Sequence, residues 1–292
     1  MEIDPSLAGT PLKDFVTDIS WRKTTNYAAA VQDHNPVYFD DERPGGLIAP
    51  PMFSVAVTWP ILERLWEFIE LEKFPREILA TQVHYSEHLI FHSPLRPGTK
   101  VRVKGEIVAI LPHRAGTHMI MRLKAEDERG QPLFTEYIGG MMRGVHCAGE
   151  GKGKEALPVV PKPPNNGNSL WEQEIQIGPL FPYIYDGCTD IVFPIHTSPK
   201  FARQVGLPGI IVQGTATLAF AAREIVNRNG NGDPTRLREI SCRFRAMVRP
   251  DTNLTVRAKH LVEKEEYDEI FFEALNGDGD IALSNGYARI RS

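Results

Sequence analysis

The sequence predicts an α+β protein built twice, as two tandem units of one long helix wrapped by a curved antiparallel sheet. Three observations predict it. The 292 residues exceed one compact domain and suit two of about 130–150. Residues 148–168, AGEGKGKEALPVVPKPPNNGN, are rich in Gly, Pro, Lys and Asn, lack apolar periodicity, and divide the chain nearly in half. The stretches on either side, residues 1–147 and 169–292, repeat one order of elements, which marks an internal duplication.

In the first half, helical spacing around residues 27–32 leads to the turn DHNPVYFDD and the loop RPGGLIAPP. A long helix follows, from residue 52 to about 71. QVHYSEHLIFH, KVRVKGEIVAIL, THMIMRLKAED and PLFTEYIGGMMRGV then read as strands, the second alternating at period two. In the second half, YDGCTDIVFPIHTS leads to the loop VGLPGIIVQG and a buried-type helix from residue 215 to about 227. EISCRFRAMV, NLTVRAKHLVE, YDEIFFEALN and IALSNGYARIRS close it as strands. FHSPLRPGTKVRV is matched by FRAMVRPDTNLTV, and Tyr27 and Tyr185 each precede Tyr38 and His196 by the same spacing. Two such sheets can pair edge to edge, which removes an exposed edge from each.

Composition narrows the function. Net charge is −4 with Lys and Arg scattered, unlike the basic face of a nucleic-acid binder. Cys147, Cys188 and Cys242 form no CxxC pair, so neither a disulfide framework nor a zinc site is indicated. MEIDPSLAGTPLKDF is acidic and lacks the apolar core of a secretory signal, and no apolar run reaches membrane-spanning length. The expectation is a cytoplasmic protein without membrane contact.

The arrangement resembles the hotdog fold, and the turn and loop motifs resemble the MaoC-like hydratase/dehydratase family in its double-hotdog form. That family's pattern is a Tyr or Phe, then D-x-N-P-x-H, then an apolar loop ending H-G before the central helix. The resemblance implies R-specific hydration of trans-2-enoyl thioesters, or the reverse dehydration of 3-hydroxyacyl thioesters. The carrier would be coenzyme A or acyl carrier protein, with no metal or redox cofactor. It also implies association as a homodimer or with another hotdog chain. In the first half, Asp33, Asn35 and Pro36 keep the pattern, Tyr38 stands in the His position, and Pro50-Pro51-Met52 replaces H-G-M. Such halves are usually silent and shape the acyl pocket. In the second half, Pro194 and His196 match, but Phe193 replaces Asn and Ile191 replaces Asp, with Asp190 one residue early. Gln213 stands where His is common, before Gly214.

Adding water to an enoyl thioester needs a base for the water, an acid for the α-carbon and a donor for the enolate-like oxygen. Positioned acid–base groups contribute about 10²–10⁴-fold. A backbone N–H at a helix start, aided by the helix dipole, suits the oxyanion. The catalytic assignment is therefore His196 with Asp190 as partner and the Gly214 amide as oxyanion donor. Gln213, Thr215, Tyr185, Asp33 and Tyr38 are assigned to substrate binding. A one-residue slip in an extended segment flips a side chain to the other face, so Asp190 reaches His196 only if the segment bulges; Asp186 is the weaker substitute.

Blander readings stand beside these. Asp190 and Asp33 are also ordinary turn residues. His84 and His88 read as packing or surface residues on a strand rather than a metal pair. Arg243 and Arg245 read as a solvated face, residues 229–233 as a loop, and Ser93 as a turn residue. Two further functions remain open. One is a non-catalytic acyl-thioester-binding subunit. The other is a hotdog thioesterase using an acid on a central helix, for which Glu63, Glu67, Glu70 and Glu224 are candidates.

Overall fold

The computed structural model describes residues 1–69, 74, 76–164 and 169–292. The first half contains β1 (Glu2–Ile3), β2 (Thr10–Pro11), β3 (Phe15–Asp18), α1 (Trp21–Ala30), α2 (Phe53–Glu63) and α3 (Leu65–Phe68). β4 (Gln82–Phe91), β5 (Lys100–His113), β6 (Gly116–Asp127), β7 (Pro132–Arg143) and β8 (His146–Cys147) complete it. The second half contains β9 (Trp171–Ile177), α4 (Phe181–Thr189), α5 (Pro199–Gln204) and α6 (Gly214–Asn229). It closes with β10 (Leu237–Phe244), β11 (Thr252–Glu263), β12 (Tyr267–Leu275) and β13 (Ile281–Arg291).

One antiparallel sheet runs through both halves in the order β2-β5-β6-β7-β4-β10-β13-β12-β11-β9, with β3 also on β5. The halves join where β4 pairs with β10, from Ile90 opposite Glu239 to Ser86 opposite Arg243. Edge pairing thus fuses two sheets into one. The central helices lie against its inner face. α6 buries a run of small and apolar side chains from Ala216 to Val226, and α2 buries Phe53, Val55, Val57 and Ile61.

The helix predicted from residue 52 is not continuous. Pro60 lies inside α2 and has no N–H for the ladder, and Arg64 leaves helical geometry at φ −124°, ψ 42°. The predicted end at Leu71 lies outside the described residues. α6 holds together because Gly230 closes it, its N–H reaching the carbonyls of Ile225 and Val226.

The expected linker is partly built into the first half. Lys152 pairs with Ile110 in both directions, and Gly153 turns at φ 88° so close to the Val108 carbonyl that a Cβ would collide with it. Residues 165–168 lie outside the described residues. The three cysteines are free thiols.

Candidate active site

The second-half turn starts at the end of α4. Asp190 caps that helix in the left-handed region, at φ 57°. A 3-10 turn, Pro194–His196, then carries the histidine back toward the loop before α6. His196 Nδ1 lies 2.8 Å from the carbonyl oxygen of Ile211. A carbonyl only accepts, so Nδ1 carries the proton and Nε2 of the neutral ring keeps its lone pair. Burial pushes the His196 pKa down to about 4, against the bond to Ile211, so the ring is neutral at pH 7.

Gly214 opens α6. As the first residue of a helix its N–H has no acceptor within the helix. The sixteen residues of α6 add the dipole that favours negative charge at that end. A neutral histidine with a free lone pair is therefore tethered by one hydrogen bond to the loop that ends at the N–H opening α6. A side chain at Gly214 would meet the Phe244 ring at 3.2 Å, so only glycine fits there without displacing the ring.

The other assigned residues are placed differently from the sequence reading. Asp190 is not the partner of His196. Its left-handed cap geometry turns the carboxylate to solvent, 69% exposed, where Lys23 of α1 holds it at 3.1 Å. Asp186 has a buried Oδ2 without a hydrogen-bond partner among the described residues, and burial raises its pKa, with Asp190 adding to the rise. Tyr185 is wholly buried and its hydroxyl donates to Thr215 Oγ1 at 3.1 Å. The Tyr27 hydroxyl lies 3.2 Å from it, so this chain of hydroxyls ties the two halves together. Gln213 is buried and donates to the Pro182 carbonyl at 3.0 Å, which binds the loop to α4.

Asp33 and Tyr38 belong to the first-half turn. Asp33 accepts from the Asn35 N–H, and burial raises its pKa against that bond. Tyr38 is buried with Ala28, Val37 and Ile48. Beside them lies an apolar cleft whose lining includes Ile48, Pro50, Pro51, Phe91, Leu133 and Leu237. In the duplication Pro51 corresponds to Gly214. Proline has no N–H, so this helix start lacks the donor that the second half keeps.

Two of the four helix acids are held in ion pairs. Glu63 is exposed, Glu67 pairs with Arg64 at 3.4 Å, and Glu224 is held by Arg223 and Arg228 at 2.8 and 3.1 Å. Glu70 lies outside the described residues. His88 bridges the two halves through Glu239 at 2.8 Å, Arg243 lies over the Tyr85 ring, and Arg245 is exposed. Among the described residues no group of three or more His, Cys, Asp or Glu side chains could hold a metal ion.

His84 and Glu87 lie together on β4, which the reading of QVHYSEHLIFH as a strand does not reveal. Tyr85 is an extra residue in β4 opposite β7, a bulge that turns His84 to the inner face with Glu87. There the His84 ring packs on Phe244, centroids 4.2 Å apart, and its Nε2 lies 3.0 Å from Glu87 Oε2.

Two central helices on one continuous antiparallel sheet define a double-hotdog protein, with a turn histidine bonded to the loop before one of them. Residues 183–277 match the MaoC like domain family, and residues 6–136 match the FAS1-like, dehydratase domain region family. One match thus falls in each half of the chain, and each spans less than half of its length. The fatty acid synthase beta subunit pkiC of Emericella nidulans is 36% identical over 100 residues, 30% of this chain and 5% of that one. The 3-hydroxyacyl-thioester dehydratase Y of Mycobacterium tuberculosis is 25% identical over 181 residues, 60% of this chain and 61% of that one. A MaoC-like dehydratase from Phytophthora capsici has the same fold, with TM-score 0.81 at 20% identity over 98% of this chain and 97% of that one. The chain spans between 4% and 61% of the curated relatives it matches. No helix among the described residues is long and apolar enough to cross a membrane.

Proposed function

We propose that the chain hydrates trans-2-enoyl thioesters, and dehydrates 3-hydroxyacyl thioesters, from its second half. The observation that carries this is the tether of His196 to Ile211 beside the start of α6. His196 Nε2 takes a proton from water, and the oxygen adds to C3 of the enoyl group. The electron pair moves toward the thioester oxygen, where the Gly214 N–H receives the developing charge. Protonation at C2 completes the reaction. The relatives support the same chemistry: one is by name a 3-hydroxyacyl-thioester dehydratase. Coenzyme A or acyl carrier protein serves as carrier. The chain functions alone as its own hotdog pair or in a larger oligomer.

A second reading has a specific observation in its favour. His196 has no carboxylate partner among its hydrogen bonds, and a non-catalytic acyl-thioester-binding subunit would tolerate that. The experiment is to incubate the protein with crotonyl-CoA and a longer trans-2-enoyl-CoA and follow the enoyl absorbance, with a thiol trap in parallel. Loss of enoyl without free thiol, reduced at least about 100-fold in His196→Ala, is expected. Released thiol would replace the reading with a thioesterase. Binding of acyl-CoA without turnover would replace it with the subunit.

A further inference from the structure

Hydration of an enoyl thioester needs two proton transfers, one at the water and one at C2. His196 supplies one group; its hydrogen bond among the described residues goes to the Ile211 carbonyl, and Asp190 is bound to Lys23 at the surface. The other group comes from across the seam. β4 belongs to the first half, yet its His84 touches Phe244, the residue against which Gly214 packs. His84 therefore stands one side chain away from the oxyanion donor.

The duplication provides an internal control. Phe91 and Phe244 correspond, and counting back by the same number of residues pairs His84 with Leu237 and Glu87 with Ile240. Both strands carry an irregularity at the same place, between His84 and Ser86 and between Leu237 and Glu239. The first-half cleft, whose helix start is Pro50-Pro51, is lined by Leu237 and Phe91. The structurally equivalent position facing the second half holds histidine, backed by glutamate. At this strand position an ionisable pair occurs only in the half whose helix start keeps the glycine N–H, although the first-half cleft has Arg238 elsewhere in its lining.

We propose that His84, positioned by Glu87, is the second acid–base group of the second-half site and exchanges the proton at C2. This rests on the hydratase reading above. The His84 side chain is 22% exposed, whereas Glu87 beside it has no exposed side-chain surface. Stability alone explains the pair poorly. Glu87 and Glu136 are two buried carboxyls in contact with each other, with Thr58 beside Glu136, an expensive arrangement. Burial pushes His84 down to about 4, against a backbone bond to Ser86, and pushes Glu87 up to about 8. The titratable groups around Glu87 are His84 on its own strand, Glu136 on β7, Cys242 on β10 and Tyr27 on α1. The pair thus shares one proton at neutral pH. In hydration the His84 ring leaves its bond to the Ser86 backbone and gives its Nδ1 proton to C2 while Nε2 takes the proton of Glu87 Oε2. The ring stays neutral, Glu87 becomes a carboxylate, and His196 holds the proton taken from water. Passage of that proton through solvent to Glu87 resets the site.

The test compares His84→Ala, His84→Gln, Glu87→Gln and His196→Ala in crotonyl-CoA hydration over a range of pH, with urea midpoints to show that each variant is folded. His84→Ala and His84→Gln are expected to lose about 100-fold or more in kcat with KM within a few-fold. Glu87→Gln, which keeps the shape, is expected to lose about 10-fold and to move the pH profile, which a packing role would not do. Activity of folded His84→Gln within 3-fold of the parent, beside an inactive His196→Ala, would overturn the proposal and leave the hydratase reading intact. No turnover by the parent on any enoyl thioester would remove both.

Discussion

Asp190→Asn separates the sequence reading of the site from the structural one. If Asp190 were the acid–base partner of His196, removing its charge would cost about 10²–10⁴-fold in rate. In the structure its carboxylate is 69% exposed and meets a Lys23 ammonium that is itself 54% exposed. Exposed pairs of this kind contribute about 0–1 kcal/mol. Asparagine also tolerates the left-handed backbone that Asp190 adopts at φ 57°, so the cap is kept. The expected outcome is a urea midpoint lowered by less than about 1 kcal/mol equivalent and crotonyl-CoA hydration within about 3-fold of the parent. Raising the salt concentration should erase the stability difference, since screening weakens such pairs. A hundredfold loss of activity in a stable Asp190→Asn protein would refute this reasoning and restore the pairing with His196.

Tyr185→Phe removes the hydroxyl that lies between Tyr27 and Thr215, and should cost about 1–3 kcal/mol in urea unfolding. In a double-mutant cycle with Tyr27→Phe the two changes should fall short of additivity by about 0.5 kcal/mol or more, and strict additivity would mean that the hydroxyls are not coupled. Gly153→Ala forces a side chain onto the Val108 carbonyl at a left-handed φ of 88°, and a loss of about 2 kcal/mol or more is expected. An unchanged midpoint there would show that residues 148–157 are not fastened to β5.

The His84–Glu87 pair predicts a pH dependence of stability. Glu87 is raised to about 8, so its folded form keeps a proton that the unfolded form has lost above its ordinary value near 4.5. His84 is lowered to about 4, so its folded form lacks a proton that the unfolded form carries below 6.5. The two effects oppose each other between about pH 4.5 and 6.5. Above 6.5 only Glu87 acts, and stability should fall as pH rises toward 8, by up to about 1.4 kcal/mol per unit from this pair. Urea titrations at pH 6.5 and 8 should show that slope in the parent and a smaller one in Glu87→Gln, where the raised Glu136 still acts in the same direction.

The fold was legible because both halves repeat the same motifs, and a repeated Tyr, turn, loop and helix is hard to produce by chance. Edge pairing followed from the need to remove strand edges, and β4 on β10 meets it. What was hidden depends on single backbone angles. Nothing in CTDIV states that Asp190 sits at positive φ, and that one angle decides whether its carboxylate faces Lys23 or the histidine. Likewise the extra residue at Tyr85 changes which face His84 occupies, and regular alternation cannot register it. The break of the first central helix at Arg64 was written more plainly, in Pro60.

The joining of β4 to β10 within one chain also bears on how the protein can change. In a symmetric dimer of identical subunits every substitution appears in both sites at once. A helix start of Pro-Pro would then silence the whole molecule, and a histidine on the seam strand would face both clefts. Fusion releases each copy from its twin. One half can lose its donor and fill its turn with Tyr38 while its strand supplies His84 to the neighbour's cleft. Division of labour between duplicates, rather than repetition of one active centre, is what a covalent pair permits.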